Sequence, residues 1–161
     1  MAAPPKAMNN IHDKYPDNDK MKHVFIQADN KAYPGYGDRH VLLWWSNSND
    51  EDNDSNFVTQ VIQLTGQAGN YNYYAPVVKP RSPTSTARHL QIDLGNFTRE
   101  ERDKILDLAK RVQFNKKSTV NGCRVWTRDL LESMVNQGLI TKAKFESIDA
   151  EIPLMKRKEE A

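Results

Sequence analysis

Residues 121–135 read Asn121-Gly122-Cys123-Arg124-Val125-Trp126-Thr127-Arg128-Asp129-Leu130-Leu131-Glu132-Ser133-Met134-Val135. Asn-Gly is a turn dipeptide, and the residues after it have helical spacing. Counting from Cys123, the side chains of Trp126, Leu130 and Met134 share one stripe, with Thr127 and Leu131 alongside. Gly138 supplies the stop. A long amphipathic helix this late in the chain, after a first half that reads as strands, decides the fold class.

Immediately before it, Thr98-Arg99-Glu100-Glu101 matches a capping box, with Thr98 as N-cap and Glu101 at N3. Ile105, Leu108, Ala109 and Val112 then form an apolar helical stripe. After Gly138, Thr141 is placed to cap a third, short helix carrying Ala143, Phe145 and Ile148. Further back the period changes. His23 to Ala28 is β-prone, and Arg39 to Ser46 is the most apolar run, with the length and aromatic content of a strand buried on both faces. Phe57 to Thr65 alternates, with Val58, Gln60, Ile62 and Leu64 on one face and Phe57, Thr59, Val61, Gln63 and Thr65 on the other. Asn70 to Val78 reads as an aromatic strand and His89 to Leu94 as another, stopped by Gly95-Asn96. Strands first and helices later imply α+β: an antiparallel sheet of four to five strands with helices packed on one face. Leu42, Trp44, Ile62, Leu64, Ile105, Leu108, Trp126 and Leu130 are the expected core.

The 161 residues fit one domain with tails. Residues 1–22 are polar and proline-containing and read as a disordered tail, 23–153 as the domain, and 154–161 as a charged tail. The acidic run Asn47 to Asn56 reads as a long hairpin loop. It lacks the central glycine and terminal glutamate of a calcium loop. A single cysteine excludes an internal disulfide and a multi-cysteine zinc site, and the histidines lack metal-ligand spacing, so no metal or cofactor is expected. No membrane span and no secretory signal are expected, which points to the cytoplasm or nucleus as the default location, the cytoplasm first. The net charge of +2 leaves no nucleic-acid footprint. Tyr71, Tyr73 and Tyr74 near the basic Lys79–Arg88 loop form the one arrangement that could stack bases.

Chemistry is suggested at one place. A cysteine opening a helix has its thiolate favoured by the helix dipole and the free backbone N–H groups, and Arg124 adds a positive charge. A nucleophilic cysteine needs a base, and the base needs an orienting group. Of the histidines, His12 lies in the tail, and His23 and His89 open strands of ordinary character. His40 opens the most buried strand, where the backbone would hold its imidazole in place. Gln63 on the adjacent strand can orient that imidazole, and Thr65 is an equal candidate.

A histidine opening an early aromatic strand, a second strand with polar residues, and a late cysteine opening a helix together resemble the circularly permuted papain-like hydrolases and acyltransferases, the group of lecithin retinol acyltransferase. That group places its histidine on an early strand and an Asn-Cys pair at the start of a later helix. Here His40 and Cys123 match, over roughly residues 40–138. Two departures stand out: Gly122 separates Asn121 from Cys123, and Val41 follows the histidine, with the tryptophans displaced to Trp44 and Trp45. Asn121 to Thr127 is also similar to small fungal proteins of unassigned function with a late Gly-Cys-Arg helix. The resemblance implies a thiol hydrolase or acyl-transfer enzyme acting on an acyl, amide or ester substrate, small molecule or peptide, with Cys123 as nucleophile, His40 as base and Gln63 as orienter. The alternative is a non-catalytic protein-interaction domain on the same fold, with Cys123 as a core residue.

Overall fold

The computed structural model describes residues 15–31, 34, 39–47, 58–74, 77–80 and 87–160. The expected tail up to residue 14, most of the acidic loop with Phe57, and the centre of the basic loop lie outside the described residues.

Among the elements that lie wholly within the described residues, seven strands precede three helices. They are β1 (Lys22–Ala28), β2 (Val41–Ser46), β3 (Val58–Ile62), β4 (Leu64–Gln67), β5 (Asn70–Tyr73), β6 (Val78–Pro80) and β7 (Leu90–Phe97), followed by α1 (Arg99–Arg111), α2 (Cys123–Asn136) and α3 (Lys142–Glu151). The main sheet has the order β6-β3-β2-β1-β7, and every pairing in it is antiparallel. A separate ribbon pairs β4 with β5. The class is α+β, as the order of periods implies.

The helices cover one face of the sheet. Val24, Ile26, Ala28, Val41, Leu43 and Trp45 from the strands join Ile105, Leu108, Trp126, Leu130, Leu131 and Ile148 from the helices in one buried cluster. Leu42, Trp44, Val61 and Val77 form a second cluster, on the opposite face. Strand β2 is therefore buried on both sides, which is why its sequence runs apolar without alternation. All eight expected core residues are buried, although Leu42 and Trp44 pack away from the helices.

Helix ends follow local chemistry. The Thr98 hydroxyl accepts from the Glu101 amide at 3.1 Å, and the Glu101 carboxylate accepts from the Thr98 amide at 2.9 Å, completing the capping box. At the end of α2, Gly138 takes φ +74°. Its N–H donates to the Val135 carbonyl, and the Leu139 N–H donates to Met134. This is a Schellman closure, and glycine suits its left-handed residue.

Four expectations need correction. The strand through residues 57–65 breaks at Gln63: β3 stays in the main sheet and β4 leaves for the ribbon. The aromatic strand likewise splits, with β5 pairing β4 and β6 pairing β3. Gly95 does not stop β7. The register with β1 slips between Val24 and Phe25, leaving Leu94 as the extra residue, and Gly95 at φ +114° absorbs the bulge. Finally, segments assigned to the tails belong to the packed domain. Asp17 pairs with the fully buried Arg102, and Leu154 is buried in the main core.

Candidate active site

The site forms where β2 begins, β3 gives way to β4, and α2 starts. Thr127 ties α2 to β2, its hydroxyl donating to the Val41 carbonyl at 3.4 Å. Below it Trp126 is buried against the Tyr73 ring at 5.2 Å, which fixes the roll of the helix. Burial alone pushes the Tyr73 phenol up to about 12. That tyrosine is core, not a stacking surface.

Cys123 is the first residue of α2 and Gly122 its N-cap. No side chain caps this end, and its first turn carries no acidic residue. Gly122 has ordinary extended backbone angles, so conformation does not demand glycine there. Space does: a Cβ at this position would lie 2.6 Å from the Tyr71 hydroxyl. The Asn-Gly-Cys spelling thus follows from a tyrosine of β5 pressed against the helix start.

The half-buried His40 lies immediately before β2. Its Nε2 is 2.6 Å from the Gln63 amide oxygen. That oxygen only accepts, so Nε2 carries the proton and Nδ1 is the acceptor of the ring, with the Cys123 thiol as its other polar neighbour. Burial, the largest influence on the imidazole, disfavours its charged form. The hydrogen bonds to Cys123 and Gln63, with the charges of Cys123 and Asp29, outweigh it and hold His40 above its ordinary value. The thiol also lies 3.3 Å from the Arg39 carbonyl, to which it can donate. Cys123, His40 and Gln63 are therefore brought together across 83 residues of chain. Thr65, the equal candidate as orienter, instead donates to the Asn72 carbonyl within the ribbon at 2.9 Å. His23 pairs with Asp93, and His89 accepts from the Asn30 amide. Neither lines the cavity, and His12 lies outside the described residues.

With Gln63 behind the imidazole, His40 and Cys123 line a cavity of about 370 Å³, whose wall also includes Tyr71, Arg124, Met155 and Lys158. The last two come from the chain end. The side chain of the buried Asn121 exchanges two hydrogen bonds with the Lys158 backbone, at 2.7 and 2.8 Å, as a strand neighbour would. Ser118 binds the Glu160 carboxylate, and Arg157 pairs with Asp129 at 2.7 Å. Sequence reasoning missed Tyr71, Asn121 and Lys158 as parts of the site. The glycine inserted before Cys123 was the signal for a close neighbour. Nothing in the mixed charges of the chain end signals its docking.

Among the described residues, no group of three histidine, cysteine or acidic side chains could hold a metal ion, and no helix is long and apolar enough to cross a membrane. A family model described as "Domain of unknown function (DUF7770)" matches residues 53–161. The match includes Gln63, Cys123 and the docked chain end, and it begins after β2, so His40 lies outside it. Comparisons with curated proteins and with solved structures give no match.

Proposed function

The chain belongs to the DUF7770 family, a domain of unknown function, and from that premise we propose that it is a papain-like, cysteine-dependent hydrolase or acyl-transfer enzyme. The observation that carries this reading is the 2.6 Å His40–Gln63 bond on an imidazole that lines one cavity with Cys123. A nucleophile, a base and an orienter fit these positions. The permuted papain-like relationship is part of the same proposal. It is supported by a histidine at the start of an early strand and a cysteine opening a later helix.

In this mechanism His40 Nδ1 takes the Cys123 proton, and Gln63 holds the ring in the tautomer that allows it. Sγ attacks the acyl carbon and forms the S–C bond, while the carbonyl π pair moves to oxygen. The uncapped first turn of α2, beginning with the Cys123 N–H, faces that oxyanion. The oxyanion collapses, the bond to the leaving amine or alcohol breaks, and imidazolium gives the leaving atom its proton. Water or an acceptor alcohol or amine then attacks the thioester, and His40 takes its proton. The acyl group departs, and the proton returns to the thiol.

One observation favours the non-catalytic reading. The thiol's contact with the Arg39 carbonyl suits a neutral S–H that merely packs. An activated ester separates the two readings. With p-nitrophenyl acetate, an enzyme acquires one acetyl group on Cys123, read by peptide mass spectrometry. His40→Ala slows this by about a hundredfold or more. Acetylation of surface lysines alone, unchanged in Cys123→Ser, contradicts the proposal.

A further inference from the structure

Part of the cavity wall is not held by the core. Of the described lining, Met155 and Lys158 come from residues 154–160, which have no regular secondary structure. Leu154 roots this segment in the main core, and its N–H donates to the Asp149 carboxylate at 3.2 Å. Beyond the root, burial stops. Met155 is half-buried, and every side chain from Lys156 to Glu160 is exposed. What holds the stretch is polar. The buried Asn121 side chain donates to the Lys158 carbonyl at 2.7 Å and accepts from its N–H at 2.8 Å. Ser118 binds the Glu160 carboxylate, and Arg157 reaches Asp129 and the Gln113 carbonyl, each at 2.7 Å. Exposed ion pairs contribute little, so the two bonds of the buried amide are the main fastening.

The loop that supplies Asn121 is bonded to the β4–β5 ribbon as well. The Gly69 and Tyr71 N–H groups donate to the Ser118 and Lys116 carbonyls, both at 2.7 Å. Residues of the ribbon, the loop and the segment all line the cavity, and the loop ends two residues before Cys123. Asn121 therefore sets the position of the segment relative to the thiol. A stretch pinned by surface polar bonds beyond an apolar root opens locally at low cost, leaving the core in place.

We propose that residues 155–160 form a strap that sets the size of the group the cavity admits, with Asn121 as its positioning residue. Resting on the reading of Cys123 as an acyl acceptor, the strap restricts that chemistry to compact acyl groups. With the strap seated the cavity measures about 370 Å³, toward the lower end of the roughly 300–1,000 Å³ usual for small-molecule sites. Lifting the strap takes Met155 and Lys158 out of the wall and opens that side.

Two neutral maleimides of different bulk read the strap without calling on catalysis. The rate at Cys123 with N-methylmaleimide is divided by the rate with N-(1-pyrenyl)maleimide, then by the same ratio for free glutathione. In the native chain the result should exceed one by about tenfold or more. Lys158→Pro deletes the N–H that Asn121 accepts, at an exposed position, and should bring the ratio toward one. Asn121→Ala should do the same. A native thiol that reacts only once Lys158 is replaced supports the strap in its fully closed form. A normalised ratio near one in the native chain, a high ratio that neither variant lowers, or a thiol silent toward both reagents in all three proteins overturns the proposal. Esters then separate the strap from the chemistry. Normalised to glutathione, p-nitrophenyl acetate should acylate Cys123 faster than p-nitrophenyl octanoate, and Lys158→Pro should close the gap. If neither ester acylates Cys123 while the maleimide ratios behave as stated, the enzyme reading fails and the size gate stands. Equal acylation by both esters in the native chain leaves the enzyme reading intact and overturns the gate.

Discussion

Two polar clusters lie within this fold, and they are built on opposite plans. The first joins the early chain to α1. The Arg102 guanidinium, wholly buried, makes five hydrogen bonds: two to Asp17 and one each to the carbonyls of Asn18, Lys20 and Phe97. These use all five of its donors. Burial alone would raise the Asp17 carboxyl, yet the bonds from Arg102 and Lys22 overcome it and hold Asp17 below its ordinary value. The second cluster is Cys123, His40 and Gln63. Its one potential carboxylate, Asp29, acts only at a distance, its histidine sits above its ordinary value, and it opens on a cavity. A saturated cluster with fixed charges can only hold elements together. A cluster whose protons can be redistributed, and which reaches a cavity, can also act on something placed there.

Breaking the first cluster should have the larger thermodynamic effect. Asp17→Asn leaves a buried guanidinium short of its counter-charge and should cost about 3 kcal/mol of stability, read by urea denaturation. Thiol reactivity at Cys123 should be unchanged in the folded variant. A loss well under ~1 kcal/mol would mean that the carbonyls alone satisfy Arg102.

Gly122→Ala sharpens the comparison at the second cluster. The new methyl meets the Tyr71 hydroxyl, so the Tyr71 ring, the β4–β5 ribbon or the start of α2 must yield. A cost of about 1–3 kcal/mol is expected. Pairing it with Tyr71→Phe, which removes the offending oxygen, should restore most of that loss. An unchanged cost in the double variant would place the strain elsewhere.

The smallest effect is a pH slope. A histidine raised in the folded state above its ordinary 6.5 stabilises the fold fully below that value, and the contribution disappears as pH rises through the native pKa. Stability should therefore decline across the range just above 6.5, and His40→Gln should flatten that decline. Asp17 has the opposite sign. Its contribution is present above the ordinary 3.8 and lost as pH falls through the lower native value. An unaltered slope near neutrality in His40→Gln would show that the imidazole is not coupled to the fold as described.

What was legible in the sequence, and what was not, follows the same division. Cys123 and His40 could be picked out because each opens a well-marked element, and position in an element is a local property. Gln63 was legible only as one of two residues. Strand alternation put it and Thr65 on the same face, and the break between β3 and β4 that separates them comes from tertiary pairing. The Asp17–Arg102 pair spans 85 residues, and no period links its members. Arg102 follows the capping box, ahead of the apolar stripe of its helix, and nothing local marks it as buried. Lys158 belonged to a run of mixed charge that reads as solvated, while the residue that docks it, Asn121, was spent in the reading as half of a turn. The extra glycine before Cys123 looked like a departure from a motif and is instead the imprint of Tyr71.

The central claim is that His40 and Cys123 form one chemical unit. The most direct measurement is the rate of Cys123 alkylation by iodoacetamide as a function of pH, in the native chain and in His40→Ala and Gln63→Ala. The account predicts that the native thiol goes on reacting at mildly acidic pH, that His40→Ala abolishes the acid limb of the profile, and that Gln63→Ala weakens it by about tenfold. A slow reaction of the same pH dependence in all three proteins would contradict it and leave Cys123 as a packed side chain.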